Sequence, residues 1–364
     1  MVTTAAKSSS SSTAPTPSSP HQGPNTSSSE SFPARRWNAD LSRHDGHLLQ
    51  SWQWGEFKKL HGWDAERVRV EQPAGSALAQ VLFRHRGPVS IGYIPRGPML
   101  AGDRPALFEA LMAEIDAVCR DRRAVNLLVE PDTRLGLSGT YKSAGFVRGQ
   151  EAFQPMRTVK VPLLDDQALL DQMHQKTRYN VRLAQRRGVV VQRRDGDADA
   201  IDTFYALLAD TAQRNEFGIH ERSYYADFMR IFGEQALLLF AVIDGTVAAG
   251  LIAARFADEA IYMYGGSSTE FRAHGAAFLL QFEAMRWARD QGCRRYDLWG
   301  IPLQDPGSSD DTRRMAGTHG DDWRGLYNFK VRFGGQVISY PPAMERRYHP
   351  ILSWIGRHAT VLRG

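Results

Sequence analysis

Apolar side chains recur at helical spacing between residues 48 and 60, where Leu49, Trp52, Trp54, Phe57 and Leu60 share one stripe. Glu56, Lys58 and Lys59 lie at its rim, so the stretch predicts an amphipathic helix. Strand-like runs follow over 65–70, 78–84 and 89–94 and stop at Pro95-Arg96-Gly97-Pro98. A helix over about 105–122 and a buried strand over 125–129 lead into Tyr141-Lys142-Ser143-Ala144-Gly145-Phe146. Residues 165–188 predict one continuous helix, acidic at its start, basic at its end and closed by Gly188. Asp244-Gly245 then joins strands over 237–243 and 246–256 as a hairpin, and a third strand covers 260–264. A helix over about 275–291, a strand over 295–299 and a polar loop over 304–322 precede Gly325-Leu-Tyr-Asn-Phe-Lys330-Val-Arg-Phe-Gly-Gly335.

The second half thus repeats the first: antiparallel meander, helix, strand and an aromatic-glycine ending. Such an order implies an α/β fold with mixed sheets, and it resembles two tandem N-acetyltransferase (GNAT)-like domains. The divisions that follow are a tail over 1–35, a first domain over 36–157 joined by the C-terminal segment 338–364, and a second domain over 158–337. Residues 3–31 are almost all Ser, Thr, Pro, Ala, Gly, Asn and Gln, too poor in large apolar groups to offset the entropy of ordering.

Composition narrows the function. The tail has no apolar core of the kind a secretory signal needs, and nowhere do about 18 apolar residues run together, so neither export nor a membrane span is expected. Cys119 and Cys293 stand far apart with no histidines at ligand spacing, which argues against a disulfide framework or a metal site and fits a reducing cytoplasm. A net charge of +5 over 364 residues is too modest for a nucleic-acid coating protein but suits a partner carrying phosphates. There is no Gly-x-Ser-x-Gly elbow, no Gly-x-x-x-x-Gly-Lys-Ser/Thr loop and no His-Glu-x-x-His pair.

Four stretches could carry chemistry. Lys330 sits among aromatic residues before a glycine pair; it is either a lysine snorkelling from a strand or an ammonium held partly dry, where it would stabilise a developing anion. Arg178, Arg182 and Arg186 recur every fourth residue on the predicted helix and, with Lys176, make a basic face for phosphates or a solvated stripe. Arg222 offers a planar fork suited to a diphosphate, or else pairs with Glu216 or Glu221. Arg272-Ala-His-Gly275-Ala-Ala277 opens a helix in the Arg/Gln-x-x-Gly-x-Gly/Ala manner by which acetyltransferases hold the pyrophosphate of coenzyme A. Taken alone, that last motif favours a coenzyme A-dependent N-acyltransferase.

Leu48-Leu-Gln-Ser-Trp-Gln-Trp-Gly-Glu-Phe-Lys58, Tyr93-Ile-Pro-Arg-Gly-Pro98, Lys176-Thr-Arg-Tyr-Asn-Val-Arg-Leu-Ala-Gln-Arg-Arg-Gly-Val189 and the Lys330 segment, in this order, resemble the Fem-type aminoacyltransferases of bacterial peptidoglycan synthesis. The resemblance covers roughly residues 47–350. It implies a cytoplasmic, bacterial enzyme that uses no cofactor and moves an amino acid from aminoacyl-tRNA, its co-substrate, to the stem peptide of a UDP-MurNAc-pentapeptide or lipid-linked precursor, the latter bringing it to the membrane surface. With no heptad run in view, the chain is similar to the short members that lack a coiled-coil arm. By the same resemblance Lys58 and Arg222 would contact the precursor's diphosphate, Tyr93, Tyr225 and Tyr264 would line that cleft, and Lys330 would stabilise the anionic intermediate near the tRNA terminus. Asp297 and Glu283 are the candidates for a base.

Overall fold

The computed structural model describes residues 32–73, 75–132, 138–149, 152–305 and 323–349. Most of the Ser/Thr/Pro-rich tail, residues 306–322 of the polar loop and residues 350–364 of the C-terminal segment lie outside the described residues. The chain begins with α1 (Phe32–Arg43), a 3-10 turn (Leu48–Gln50) and α2 (Trp52–Lys59). Strands β1 (Asp64–Gln72), β2 (Gly75–Arg86), β3 (Val89–Pro95) and β4 (Met99–Gly102) precede α3 (Arg104–Asp121), β5 (Ala124–Glu130), α4 (Ser138–Ser143) and β6 (Val147–Arg148). There follow β7 (Arg157–Pro162), α5 (Asp166–Gln172), α6 (Gln175–Arg186), β8 (Val190–Arg194), α7 (Ala198–Arg214) and α8 (Arg222–Phe232). The meander β9 (Ala236–Ile243), β10 (Thr246–Phe256) and β11 (Glu259–Ser267) leads to α9 (Ala276–Asp290) and β12 (Arg295–Gly300). Last come α10 (Trp323–Val331), β13 (Gln336–Ser339) and β14 (Met344–Arg347).

Both halves use one construction. In the first, β2 and β3 are antiparallel and α3 crosses to β5, which is parallel to β3. In the second, β9, β10 and β11 are antiparallel and α9 crosses to β12, which is parallel to β11. A parallel neighbour needs such a crossover because a short turn cannot return the chain to the same end of the sheet. Among the described residues the first sheet runs β1-β2-β3-β5-β14-β6 with β4 on β2, and the second runs β13-β7-β12-β11-β10-β9-β8. The chain end serves both, since β13 pairs with β7 while β14 pairs with β5.

The outer face of each sheet is covered by its crossover helix: Phe108, Leu111 and Ile115 of α3 on the first, Leu280, Ala284 and Met285 of α9 on the second. The inner faces share one core. Trp54, Phe57, Leu82 and Tyr93 from the first half pack with Phe204, Tyr225, Phe228 and Phe240 from the second. Phe57 and Phe228 are fully buried and meet edge to face, with centroids 5.4 Å apart. Each ring contributes about 1.5–3 kcal/mol through burial alone, so a few such pairs suffice to hold the halves together. Arg96, also buried, stacks on Tyr340 at 3.4 Å and donates to the Pro155 carbonyl, adding a polar tie between the two sheets.

Three expectations need correction. Helix α1 starts at Phe32, so residues 32–35 are helical and not tail. The stretch 48–60 opens as a 3-10 turn, and α2 starts only where the Ser51 hydroxyl accepts from the Trp54 N–H. The helix expected over 165–188 is broken: Met173 is extended, with ψ 146°, and His174 caps α6 by accepting from the Lys176 N–H. The His174 N–H donates to the Arg332 carbonyl at 2.9 Å, so contact with the end of α10 fixes a break that local helix propensity would not make.

Candidate functional site

Strand β11 carries a bulge that gives it two working faces. Ile252 of β10 pairs with Tyr264 and Ala253 with Tyr262, leaving Met263 as an extra residue. Residues two apart on a strand normally point the same way, and one inserted residue reverses that. Tyr264 therefore joins the shared core between the halves, while Tyr262 joins the core beneath the second sheet. Gly265 permits this, because a Cβ there would lie 2.0 Å from the Tyr262 hydroxyl oxygen.

On the Tyr264 side lies an aromatic recess around Lys58. The Lys58 Nζ is 5.5 Å from the Tyr224 ring centroid, 5.7 Å from Trp54 and 5.7 Å from Trp63. Trp63 reaches Tyr93 at 6.1 Å, and Tyr264 meets Tyr225 edge to face at 5.1 Å. The structure thus brings together Lys58, Tyr93, Tyr225 and Tyr264 of the sequence-predicted set. Burial, with the charge of Arg84 adding to it, lowers the Lys58 ammonium to about 8. Burial also raises the phenols of Tyr93, Tyr225 and Tyr264, which stay neutral near pH 7. The Tyr93 hydroxyl donates to Glu130 at 2.6 Å and accepts from Gln154 at 3.1 Å, and the Tyr225 hydroxyl accepts from the His220 N–H.

Sequence reasoning missed much of this recess. Tyr224 stacks on His220 with centroids 3.8 Å apart and meets His61 at 4.6 Å, so it forms the recess wall that Tyr225 only supports. Burial lowers His220 to about 4, leaving a neutral ring. The Arg222 guanidinium donates to the Asp202 carboxylate and, at 3.0 Å, to the Ala198 carbonyl, tying α8 to α7. The partner is neither of the acids, Glu216 and Glu221, named from the sequence.

On the Tyr262 side a cleft of about 880 Å³ opens between α6, the start of α9 and α10. Its walls include Lys176, Asn180, Tyr262, Phe271, Phe329 and Arg332. Gly275 to Ala277 also border it, so the N-terminus of α9 faces the space with its unsatisfied amides. Gly275 has φ 73°, and a Cβ there would lie 2.6 Å from the Asn180 carbonyl oxygen; only glycine lets α6 pack this closely on the turn.

Lys330 lies behind the cleft wall, in the last turn of α10. It is 5% exposed, not snorkelling, and the segment is helical instead of a strand. Its Nζ donates to the Gly300 carbonyl at 2.8 Å and lies 5.5 Å from the Tyr262 ring centroid. Burial lowers this ammonium to about 8, opposed by the charge of Asp297. The carbonyl it meets is set by that same Asp297. One oxygen of the fully buried carboxylate accepts from the Thr158 hydroxyl and from the Trp299 N–H at 2.7 Å. This holds Trp299 at φ 61° within an irregularity between Asp297 and Gly300 of β12, from which the Gly300 carbonyl meets α10. Asp297, a sequence candidate for a base, acts here on the backbone; Glu283 is bound to Arg286 at 2.9 Å on α9.

The basic face divides. Arg178 is half-buried, and its guanidinium donates to the carbonyls of Leu170 at 3.2 Å and Asp171 at 3.3 Å, closing the end of α5. Lys176, Arg182 and Arg186 are exposed, with Arg186 5.8 Å from the Tyr179 ring centroid. Lys176 alone of the four borders the cleft.

A histidine and two acids also come together: His47, Glu259 and Asp297 offer ligand atoms within 4.8 Å of one another. Lys160 lies between two of them, 2.7 Å from Glu259 and 3.7 Å from Asp297, and already supplies the positive charge a cation would bring.

Comparison with known proteins agrees with this construction. Residues 37–145 match the FemAB family, and residues 172–311 match the acetyltransferase (GNAT) domain. The lipid II:glycine glycyltransferase of Staphylococcus aureus is 24% identical over 343 residues, covering 71% of this chain and 81% of the relative. The crystal structure of FemX superposes with a TM-score of 0.78 at 22% identity, covering 88% of this chain and 98% of FemX. The C-terminal domain of a putative lysylphosphatidylglycerol synthetase from Agrobacterium fabrum gives a TM-score of 0.53 at 16% identity, covering 90% and 99%. A FemAB match in the first unit, a GNAT match in the second and the fold of FemX over nearly the whole make this chain similar to the Fem-type family.

Proposed function

We propose that this protein is an aminoacyltransferase that extends the stem peptide of a peptidoglycan precursor, taking the amino acid from aminoacyl-tRNA. The observation that carries the reading is the pair of lysines on opposite sides of one bulged strand: Lys58 in an aromatic recess, and buried Lys330 beside a cleft large enough for a nucleotide terminus. The likeness to a lipid II:glycine glycyltransferase supports a peptidoglycan acceptor, soluble or lipid-linked. Among the described residues no helix is long and apolar enough to cross a membrane. In this reading a lipid-linked acceptor is met at the cytoplasmic membrane surface.

In this reading the recess takes the acceptor and the cleft takes the charged tRNA end, with Lys176 and Arg332 toward its phosphates. An aminoacyl ester is already activated, so attack by an amine needs chiefly orientation. The acceptor amine forms a bond to the ester carbonyl carbon as that oxygen becomes negative; collapse breaks the ester bond, and the ribose hydroxyl leaves with the proton given up by the amine. A protonated Lys330 in its dry surroundings would stabilise the oxyanion, a contribution of about 3 kcal/mol for one well-placed donor. No further cofactor enters these steps.

Purified protein supplied with charged tRNA and a UDP-linked or lipid-linked muropeptide should lengthen the peptide by a residue detectable by mass spectrometry. Failure with every charged tRNA and both acceptor forms would remove the proposal. The N-terminus of α9 at the cleft favours one rival, a coenzyme A-dependent acyl transfer. Calorimetry with acetyl-coenzyme A separates them: the tRNA reading expects no binding heat.

A further inference from the structure

We propose that the exposed side of α6, where Lys176, Arg182 and Arg186 stand in one row, is the surface on which the double-helical acceptor stem of the charged tRNA rests. The inference depends on the donor reading of the cleft and adds a place for the part of the RNA outside it. Residues 172–194 contain no Asp or Glu. On α6, Thr177, Val181 and Ala184 turn into the fold, which leaves Lys176, Tyr179, Arg182 and Arg186 exposed on one stripe. At about 1.5 Å per residue the row extends roughly 15 Å from Lys176 to Arg186. Arg186 lies 5.8 Å from the Tyr179 ring centroid, so the ring holds its guanidinium along the row.

Cations elsewhere on the surface meet acids: Arg222 takes Asp202, Arg230 takes Asp227 and Arg286 takes Asp166. Two neighbours on α6 and at its end are held by carbonyls, Arg178 by Leu170 and Asp171 and Arg187 by Ala273. By contrast, no hydrogen bond or ion pair engages the head groups of Lys176, Arg182 or Arg186 among the described residues. Like charges at helical spacing repel one another unless anions lie across them. The row also adjoins the cleft. Lys176, Thr177 and Asn180 border it, and the His174 N–H on the Arg332 carbonyl fixes the start of α6 against the second cation of the cleft wall. A phosphate backbone is a row of single negative charges and matches a row of separate cations. A helix lying in a membrane surface needs Trp, Phe or Leu beside its cations, whereas the exposed positions between these are Gln175, Gln185 and one tyrosine.

The test uses the full chain and two probes, an RNA hairpin whose 3′ end carries a single-stranded CCA and the CCA trinucleotide alone, followed by fluorescence anisotropy over a salt series. The Arg182→Gln/Arg186→Gln double variant should lose roughly 10-fold or more in hairpin affinity and flatten the slope of log K against log salt by about two, with trinucleotide affinity within about two-fold of wild type. Arg182→Lys/Arg186→Lys keeps both charges and should bind the hairpin within about three-fold of wild type. Lys142→Gln/Arg148→Gln, which removes the same charge from exposed positions in the first half, should stay within about two-fold. Unfolding curves for each variant separate lost binding from lost fold. Wild-type hairpin affinity and salt slope in Arg182→Gln/Arg186→Gln would overturn the α6 assignment and leave the cleft reading standing, as would an equal loss in Lys142→Gln/Arg148→Gln. If Arg182→Gln/Arg186→Gln keeps the hairpin but loses binding to phosphatidylglycerol vesicles, the surface is a membrane contact and the proposal falls. Wild-type protein that takes neither RNA would overturn the donor reading along with it.

Discussion

Tyr262 and Tyr264, two residues apart on β11, face opposite sides of the sheet because Met263 is an unpaired insertion between their partners on β10. Lys330 lies against the first and the aromatic recess of Lys58 against the second. A single bulge therefore sets a candidate donor cleft and a candidate acceptor recess on either side of β11.

The protonation of Lys330 sets the expected pH profile. With its ammonium lowered to about 8 by burial, the fraction carrying charge falls as pH rises through that value. Turnover at saturating substrate should decline on the alkaline side with an apparent pKa near 8. Lys330→Arg, which stays charged, should lose that limb even though its larger head slows the reaction. A wild-type rate that stays level to pH 9.5 would contradict the role.

Stability should move the other way. Below about 8 the ammonium is charged in both the folded and unfolded chain, and the fold bears the whole cost of burying it. Between about 8 and the ordinary 10.5 the unfolded chain binds a proton that the folded chain does not, so stability rises with pH. Relative to Lys330→Met, wild type should gain about 3 kcal/mol between pH 7 and 10.5, read from urea unfolding across the series. A difference independent of pH would mean that the ammonium is not held dry.

Asp297→Ala removes the acceptor for both the Thr158 hydroxyl and the Trp299 N–H in a fully buried place. The expected cost is about 2–4 kcal/mol. Asp297→Asn retains an oxygen for those donors and should recover most of it in thermal melts.

Gly275→Ala should cost about 1–3 kcal/mol, since it forces a side chain into the left-handed region and against the Asn180 carbonyl. Gly245→Ala, also at positive φ but with open space around it, should cost less. Equal losses at the two positions would mean that the close approach of α6 to α9 carries no energy.

The architecture was legible because it repeats. Strands expected over 78–84, 89–94, 237–243 and 246–256 lie within β2, β3, β9 and β10, since buried apolar runs bounded by turns have few other solutions. Lys58 and Lys330 were visible as cations among aromatic residues. What stayed hidden was set by contacts distant in sequence. The break at Met173 needs the Arg332 carbonyl, the bulge at Met263 needs β10, and the pairing of Arg222 needs Asp202 on α7.

Single-turnover transfer by Lys330→Met, measured beside its affinity for the muropeptide precursor, tests the central claim most directly. A loss of roughly 100-fold or more in the transfer rate, with precursor binding within about two-fold of wild type, is the predicted result. Transfer at the wild-type rate would show that the buried ammonium plays no part in the chemistry and would contradict the account.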